Sequence, residues 1–142
     1  MSERVTIDNE LFQVIAHFSK NSGVTPKDTI VGIDASLTFV VEAADVGRAV
    51  GPGGRNVKHL EQALNRKVRV VAYDPDMDTF INNLIRPLQI KGIEHIDLVV
   101  VLHPSDTRSR SLLIGRNAQH LRTFEHIIKR FFAGKIKELR IA

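Results

Sequence analysis

The residues whose spacing could do chemistry are Gly51-Pro52-Gly53-Gly54 followed by Arg55, Asn56 and Lys58. Pro52 presets φ near about −65°, and Gly53 supplies the positive φ that a type II turn needs at its third position. Gly51 and Gly54 remove side chains on both sides, so another backbone can approach the amides that open the next helix. Those amides and the helix dipole form an anion site, and Arg55 and Lys58 add positive charge within one turn. The chemistry is phosphate holding; the plain alternative is a tight helix connection with solvated basic residues. A second stretch, Ile114-Gly115-Arg116-Asn117-Ala118-Gln119-His120-Leu121, repeats the pattern with Ala118 at the place of the closing glycine. Asn117 tolerates the left-handed conformation expected of Gly53. The Ala118 methyl sits where close approach was needed, and Arg116, His120 and Arg122 offer side-chain contacts instead.

Other chemistries find no constellation. GPGGRNVK lacks the closing Gly-Lys-Ser/Thr of a P-loop, and Asn56 stands where GxGxxG needs its last glycine. Asp74-Pro75-Asp76-Met77-Asp78 opens like a calcium loop, but Thr79 and Ile85 hold the positions that need Gly and Glu. An acidic helix start reads better. The six His show no HxxxH or HExxH spacing, there is no Cys, and Ser105, Ser109 and Ser111 lack a nucleophile elbow. Arg108 and Arg110 are either a solvated face or phosphate contacts.

The elements that must position the two loops follow from hydrophobic period. Leu11, Val14, Ile15 and Phe18 predict a helix over 8–20 capped by Asp8. Residues 28–35 and 37–43 read as a hairpin, 45–50 as a short helix, 55–65 as a helix with Val57, Leu60 and Leu64 inward, and 67–73 as a strand with Lys67, Arg69 and Val71 on a polar-leaning face. The order returns as helix 76–86, strands 88–95 and 97–103, helices 108–114 and 118–132, and strand 135–141. Ile30-Val31-Gly32-Ile33-Asp34 matches Ile90-Lys91-Gly92-Ile93-Glu94, and Val57, Leu60 and Leu64 match Leu121, Phe124 and Ile128. One αββααβ unit is written twice. Charge repeats with it: residues 1–43, 44–70, 71–104 and 105–142 carry net −3, +4, −3 and +6 within a chain total of +4 over 142 residues. Two basic lobes surround the two loops, which fits a polyanionic partner.

Val50 before the first glycine and Val57 after the last, in a turn that follows a helix and two strands, resemble the KH domain. That module's GxxG loop clamps about four nucleotides of single-stranded nucleic acid. The order αββααβ is similar to the type II variant. The fold implied is α+β, two tandem type II KH domains: residues 1–74 with the intact loop and residues 75–142 with the degenerate one. Asp74-Pro75-Asp76 is too short for a flexible linker, so the pair is expected to pack rigidly. Such a pair resembles that of the NusA transcription elongation and termination family, and Gly115-Arg116-Asn117 with Gln119 looks like its second loop. At this length the chain is similar to the short archaeal members.

The resemblance implies single-stranded RNA held by Gly51, Pro52, Gly53, Gly54, Arg55, Asn56 and Lys58, and by Gly115, Arg116, Asn117, Ala118, Gln119, His120 and Arg122. Bases would lie against Val46 and Val57, with the strand at Lys67 to Val71 opposite. It further implies regulation of termination or antitermination on nascent transcripts, an RNA polymerase elongation complex as partner, no cofactor, no metal and no enzymatic activity, in a cytoplasmic, monomeric protein without a membrane partner. The alternative is an rRNA-assembly or ribosome-associated KH protein of the small subunit. Low aromatic content and the absence of Trp count against base-stacking platforms.

Overall fold

The computed structural model describes residues 2–142, with side chains from Glu10 onward. Contacts divide the chain into two compact units. One holds the residues up to Val31 together with Ser36–Tyr73; the other holds Gly32–Ala35 together with Asp74–Ala142.

The first unit is built from α1 (Ser2–Ser22), β1 (Asp28–Val31), β2 (Leu37–Val41), α2 (Val46–Val50), α3 (Arg55–Leu64) and β3 (Val68–Ala72). The sheet order is β1-β2-β3, with β1 antiparallel and β3 parallel to the central β2. Alternation along β2 sends Leu37, Phe39 and Val41 to one face, where they meet Val14 and Phe18 of α1, Ala49 of α2, Leu60 of α3 and Val68 of β3. The rings of Phe18 and Phe39 stack with centroids 4.1 Å apart. Burying a side chain of that size is worth about 2 kcal/mol, so this cluster fixes where α2 and α3 stand on the sheet.

Several sequence expectations change here. Helix α1 begins six residues before the expected start at residue 8, and the cap expected at Asp8 lies outside the described side chains. Strand β1 ends at Val31 instead of residue 35, because Gly32–Ala35 close a turn in which Ala35 N–H donates to Gly32 O at 3.0 Å. Val71, expected on a polar-leaning face of β3, is buried. The opposite side of β2, with Thr38 and Val40, is buried too.

The second unit repeats the plan with α4 (Met77–Ile85), β4 (Ile90–Ile96), β5 (Val99–Pro104), α5 (Thr107–Ile114), α6 (Gln119–Phe131) and β6 (Glu138–Ile141). Its sheet order is β4-β5-β6, again antiparallel then parallel. Phe80 of α4 packs against the rings of Phe131 and Phe132 at 5.4 and 5.5 Å. Asp76 caps α4, accepting from Thr79 N–H at 3.0 Å and from the Thr79 hydroxyl at 2.7 Å. The Asp74-Pro75-Asp76 stretch is thus a helix start. Asp106 does the same for α5 through Ser109 N–H at 2.7 Å. These bonds hold both carboxyls below their ordinary value of 3.8, through the Thr79 hydroxyl first at Asp76 and the Ser109 amide first at Asp106. Strand β6, expected from residue 135, starts at Glu138: α6 runs to Phe131, and Lys137 N–H already donates to Leu98 O at 2.8 Å ahead of the ladder.

Candidate nucleic-acid interface

The two loops occupy the same place in their units, between α2 and α3 and between α5 and α6. In the first, Gly54 N–H donates to Gly51 O at 3.0 Å and Arg55 N–H to Pro52 O. The left-handed region is entered three times, at Gly51 (φ 78°), Gly53 (φ 61°) and Gly54 (φ 77°). One positive φ was expected, at Gly53; the other two glycines were assigned to close approach alone. Gly51 has ψ 166°, a combination open essentially to glycine only. A Cβ there would stand 2.9 Å from Asn56 Cγ and 3.1 Å from Asn56 N.

The second loop follows the same path. Ala118 N–H donates to Gly115 O at 3.2 Å and Gln119 N–H to Arg116 O. Gly115 has φ 73° and ψ 174°, Asn117 φ 53° and Ala118 φ 59°. Asn117 takes the conformation of Gly53, as its short polar side chain permits. Ala118 takes that of Gly54 at a cost of about 1 kcal/mol.

Each loop is pinned from the following helix. Asn56 Nδ2 donates to Arg48 O at 3.0 Å. Sixty-four residues later His120 Nδ1 donates to Leu112 O at 2.8 Å. A carbonyl only accepts, so Nδ1 of His120 carries a proton. Asn56 and His120, both expected to face RNA, tie the end of one helix to the start of the next. Each ring or amide also fills the space over the first glycine, where a Cβ on Gly115 would stand 2.6 Å from His120 Cγ.

The rest of the expected set lies at the surface. Pro52, Gly53, Arg55 and Lys58 are exposed, and together with His59 and Gln62 they border an open hollow of about 360 Å³. A Cβ on Gly53 would meet nothing within 4 Å, so the loop presents bare backbone outward. The last bond of α2 takes the N–H of Gly51 and the loop's own turns take those of Gly54 and Arg55, which narrows the expected array of amides to Gly53 N–H and those that follow Arg55 at the start of α3. In the second loop Arg116, Asn117, Gln119 and Arg122 are exposed. Arg116 stands where Pro52 stands and so contributes an N–H that proline lacks. Val46, Val57 and Val70 are half-buried and pack onto the core beside the first loop. Beyond them runs β3, an edge strand of its sheet.

Two residues the sequence reading passed over are Glu61 and Glu125. Glu61 Oε2 accepts from Val68 N–H at 3.1 Å, and Glu125 Oε2 from Leu139 N–H at 2.8 Å. Each ties a helix to an edge strand. Their common offset of 64 residues, shared with the helical core positions, was the available signal.

Among the described residues no helix is long and apolar enough to cross a membrane, and no group of three or more His, Cys, Asp or Glu could hold a metal ion. A mixed α+β unit with a glycine loop between paired helices and a three-stranded sheet defines the class. The KH domain family matches residues 6–82, more than half of the chain, and the chain belongs to that family. It is 28% identical over 133 residues to the probable transcription termination protein NusA of Methanocaldococcus jannaschii, covering 89% of this chain and 70% of that one. The protein of the same name from Methanococcus vannielii is 27% identical over 124 residues, covering 83% and 69%. That of Halobacterium salinarum is 26% identical over 130 residues, covering 90% and 93%. The crystal structure of APE1850 superposes with TM-score 0.69 at 24% identity, covering 92% of this chain and 96% of that one, and shares the fold.

Proposed function

We propose that the chain is a single-stranded RNA-binding factor of two KH domains, residues 1–74 and 75–142, that regulates transcription termination or antitermination by engaging nascent RNA. The observation that carries the RNA reading is the first loop: a backbone turn with no outward side chain at Gly53, set beside exposed Arg55 and Lys58 at the start of α3. A phosphodiester fits there because bare amide and cationic side chains converge on it, and it fits without regard to base identity. Bases would extend from the loop over Val46 and Val57 toward the edge of β3. Arg116, Asn117, Gln119 and Arg122 would hold phosphates in the second domain. The transcriptional role, with an RNA polymerase elongation complex as partner, draws its support from the archaeal relatives named above.

The test is binding of the full chain to single-stranded RNA by fluorescence anisotropy, comparing wild type with Pro52→Asp/Gly53→Asp. Pro52 is exposed, a Cβ at Gly53 meets nothing within 4 Å, and aspartate is among the few side chains that tolerate the left-handed φ of 61° there, so the fold survives and circular dichroism should be unchanged. Affinity should fall about 30-fold or more, because two carboxylates then face the phosphate. Unchanged affinity would remove the first loop from the interface. A transcription assay on a template with a terminator, run with both proteins, separates the regulatory role from RNA binding: a real role appears as a change in read-through that the double variant loses.

A further inference from the structure

The two edge strands differ at one corresponding backbone position. Val70 pairs with Phe39 in the first sheet and Leu139 pairs with Val100 in the second, and Phe39 and Val100 are counterparts in the repeat. Tyr73 N–H donates to Val41 O, and Ala142 N–H donates to Leu102 O. Peptide groups alternate in direction along a strand. Those of Arg69, Val71 and Tyr73 therefore turn toward β2, and those of Val68, Val70 and Ala72 turn to the open edge. On β6 the outward groups are those of Leu139 and Ile141.

In the first unit Glu61 takes the outermost of these donors, Val68 N–H, and among the described residues nothing engages Val70 N–H. The β2–β3 ladder begins with Leu37 and Val68, but the β5–β6 ladder begins one pair later, with Val99 and Glu138. The first outward donor of β6 is therefore Leu139, and the equivalent carboxylate, Glu125, lands on it. The N–H that is open in one unit is filled by an anion in the other.

We infer that Glu125 closes to nucleobases the one edge position of the second unit that corresponds to Val70, so that Val70 N–H reads a base there while the second unit holds RNA mainly by its phosphates. This rests on the RNA reading above. Val70 N–H suits a base carbonyl or ring nitrogen, both acceptors. The Glu125 carboxylate presents the same kind of acceptor at the corresponding place, so a base acceptor brought there meets lone pairs instead of a donor, while the phosphate contacts at Arg116 and Arg122 lie on the loop and the helix after it.

The experiment is amide NMR of the 15N-labelled full chain titrated with a single-stranded RNA decamer of mixed sequence, in wild type, Glu125→Ala and Glu125→Gln. In wild type Val70 should move downfield with the loop amides while Leu139 stays in place. In Glu125→Ala, Leu139 should acquire the same response, with affinity rising about fivefold, the worth of one added hydrogen bond. Glu125→Gln keeps an accepting oxygen and should behave as wild type, which keeps the comparison intact if the alanine variant fails to fold. A Leu139 response in wild type equal to that of Val70 overturns the inference. So does a silent Val70, or a folded alanine variant in which Leu139 remains silent. If Gly53 and Arg55 themselves do not respond, the RNA reading has failed; if they respond and the edges do not obey this pattern, only the inference has.

Discussion

The loops at Gly51–Gly54 and Gly115–Ala118 trace one backbone path with different residues. Their first positions agree in kind: Gly51 at φ 78°, ψ 166° and Gly115 at φ 73°, ψ 174°. Their third and fourth positions do not, since Asn117 and Ala118 stand in the left-handed region where the first loop uses Gly53 and Gly54. The path is therefore imposed by what flanks it. The clamp from Asn56 or His120 and the two successive turns determine the conformation, and the loop residues either fit it freely or fit it under strain. Glycine is required at the first position by both backbone angle and space, whereas at the fourth it is a matter of about 1 kcal/mol and of how near a ligand can come.

The comparison can be broken at several points. The largest effect should come from Gly51→Ala, where strain and the close Asn56 backbone combine to cost about 3 kcal/mol, read as a drop in denaturation midpoint. Gly115→Ala should lose a similar amount, but the three nearest atoms there all belong to the His120 side chain, so adding His120→Ala should recover part of the loss. If Gly115→Ala costs as much with His120→Ala as without it, backbone angle and not the clamp's bulk sets the loss. A smaller effect, of opposite sign in the two loops, is expected on exchanging the fourth residues. Gly54→Ala should destabilise by about 1 kcal/mol and weaken RNA binding; Ala118→Gly should stabilise by up to about that amount and strengthen it. A Cβ at Gly54 meets only Lys58 Cε, at 3.9 Å, so packing does not confound the first of these.

Smaller again is the salt dependence. Binding that remains in Pro52→Asp/Gly53→Asp depends on the lobe of net +6, and its affinity should fall more steeply with ionic strength than that of an Arg116→Ala/Arg122→Ala variant. Equal slopes would mean that both loops hold phosphate the same way. The smallest effect concerns acid. Asp76 and Asp106 are lowered below 3.8 in the folded chain, so the stability they lend is complete above that value and is lost as the pH falls through their lowered values. Helices α2 and α3 of the first unit have no side-chain cap, so amide exchange should rise in α4 and α5 first on acidification.

The order of elements was legible because hydrophobic period alone separates helix from strand, and the repeat fixed it twice over. The glycine loop was legible from Pro52 and Gly53, whose backbone preferences are local. Three things were not. The roles of Asn56 and His120 depend on reaching back to the carbonyls of Arg48 and Leu112, which no local rule reveals. The left-handed angles at Gly51 and Gly54 arise from two overlapping turns where the sequence suggested one. The reach of Glu61 and Glu125 depends on where a strand starts, and β6 starts three residues later than its hydrophobic pattern suggests.

The clamps also bear on speed. Because Asn56 and His120 secure each turn to the helix before it, the conformational freedom of the loop is given up when the chain folds, and little is left to give up when a ligand arrives. Capture by such a preformed turn needs no rearrangement, so its rate should be governed by diffusion and by attraction between the basic lobes and the polyanion. Loosening a clamp, as in Asn56→Ala, should then appear as slower association as well as faster release.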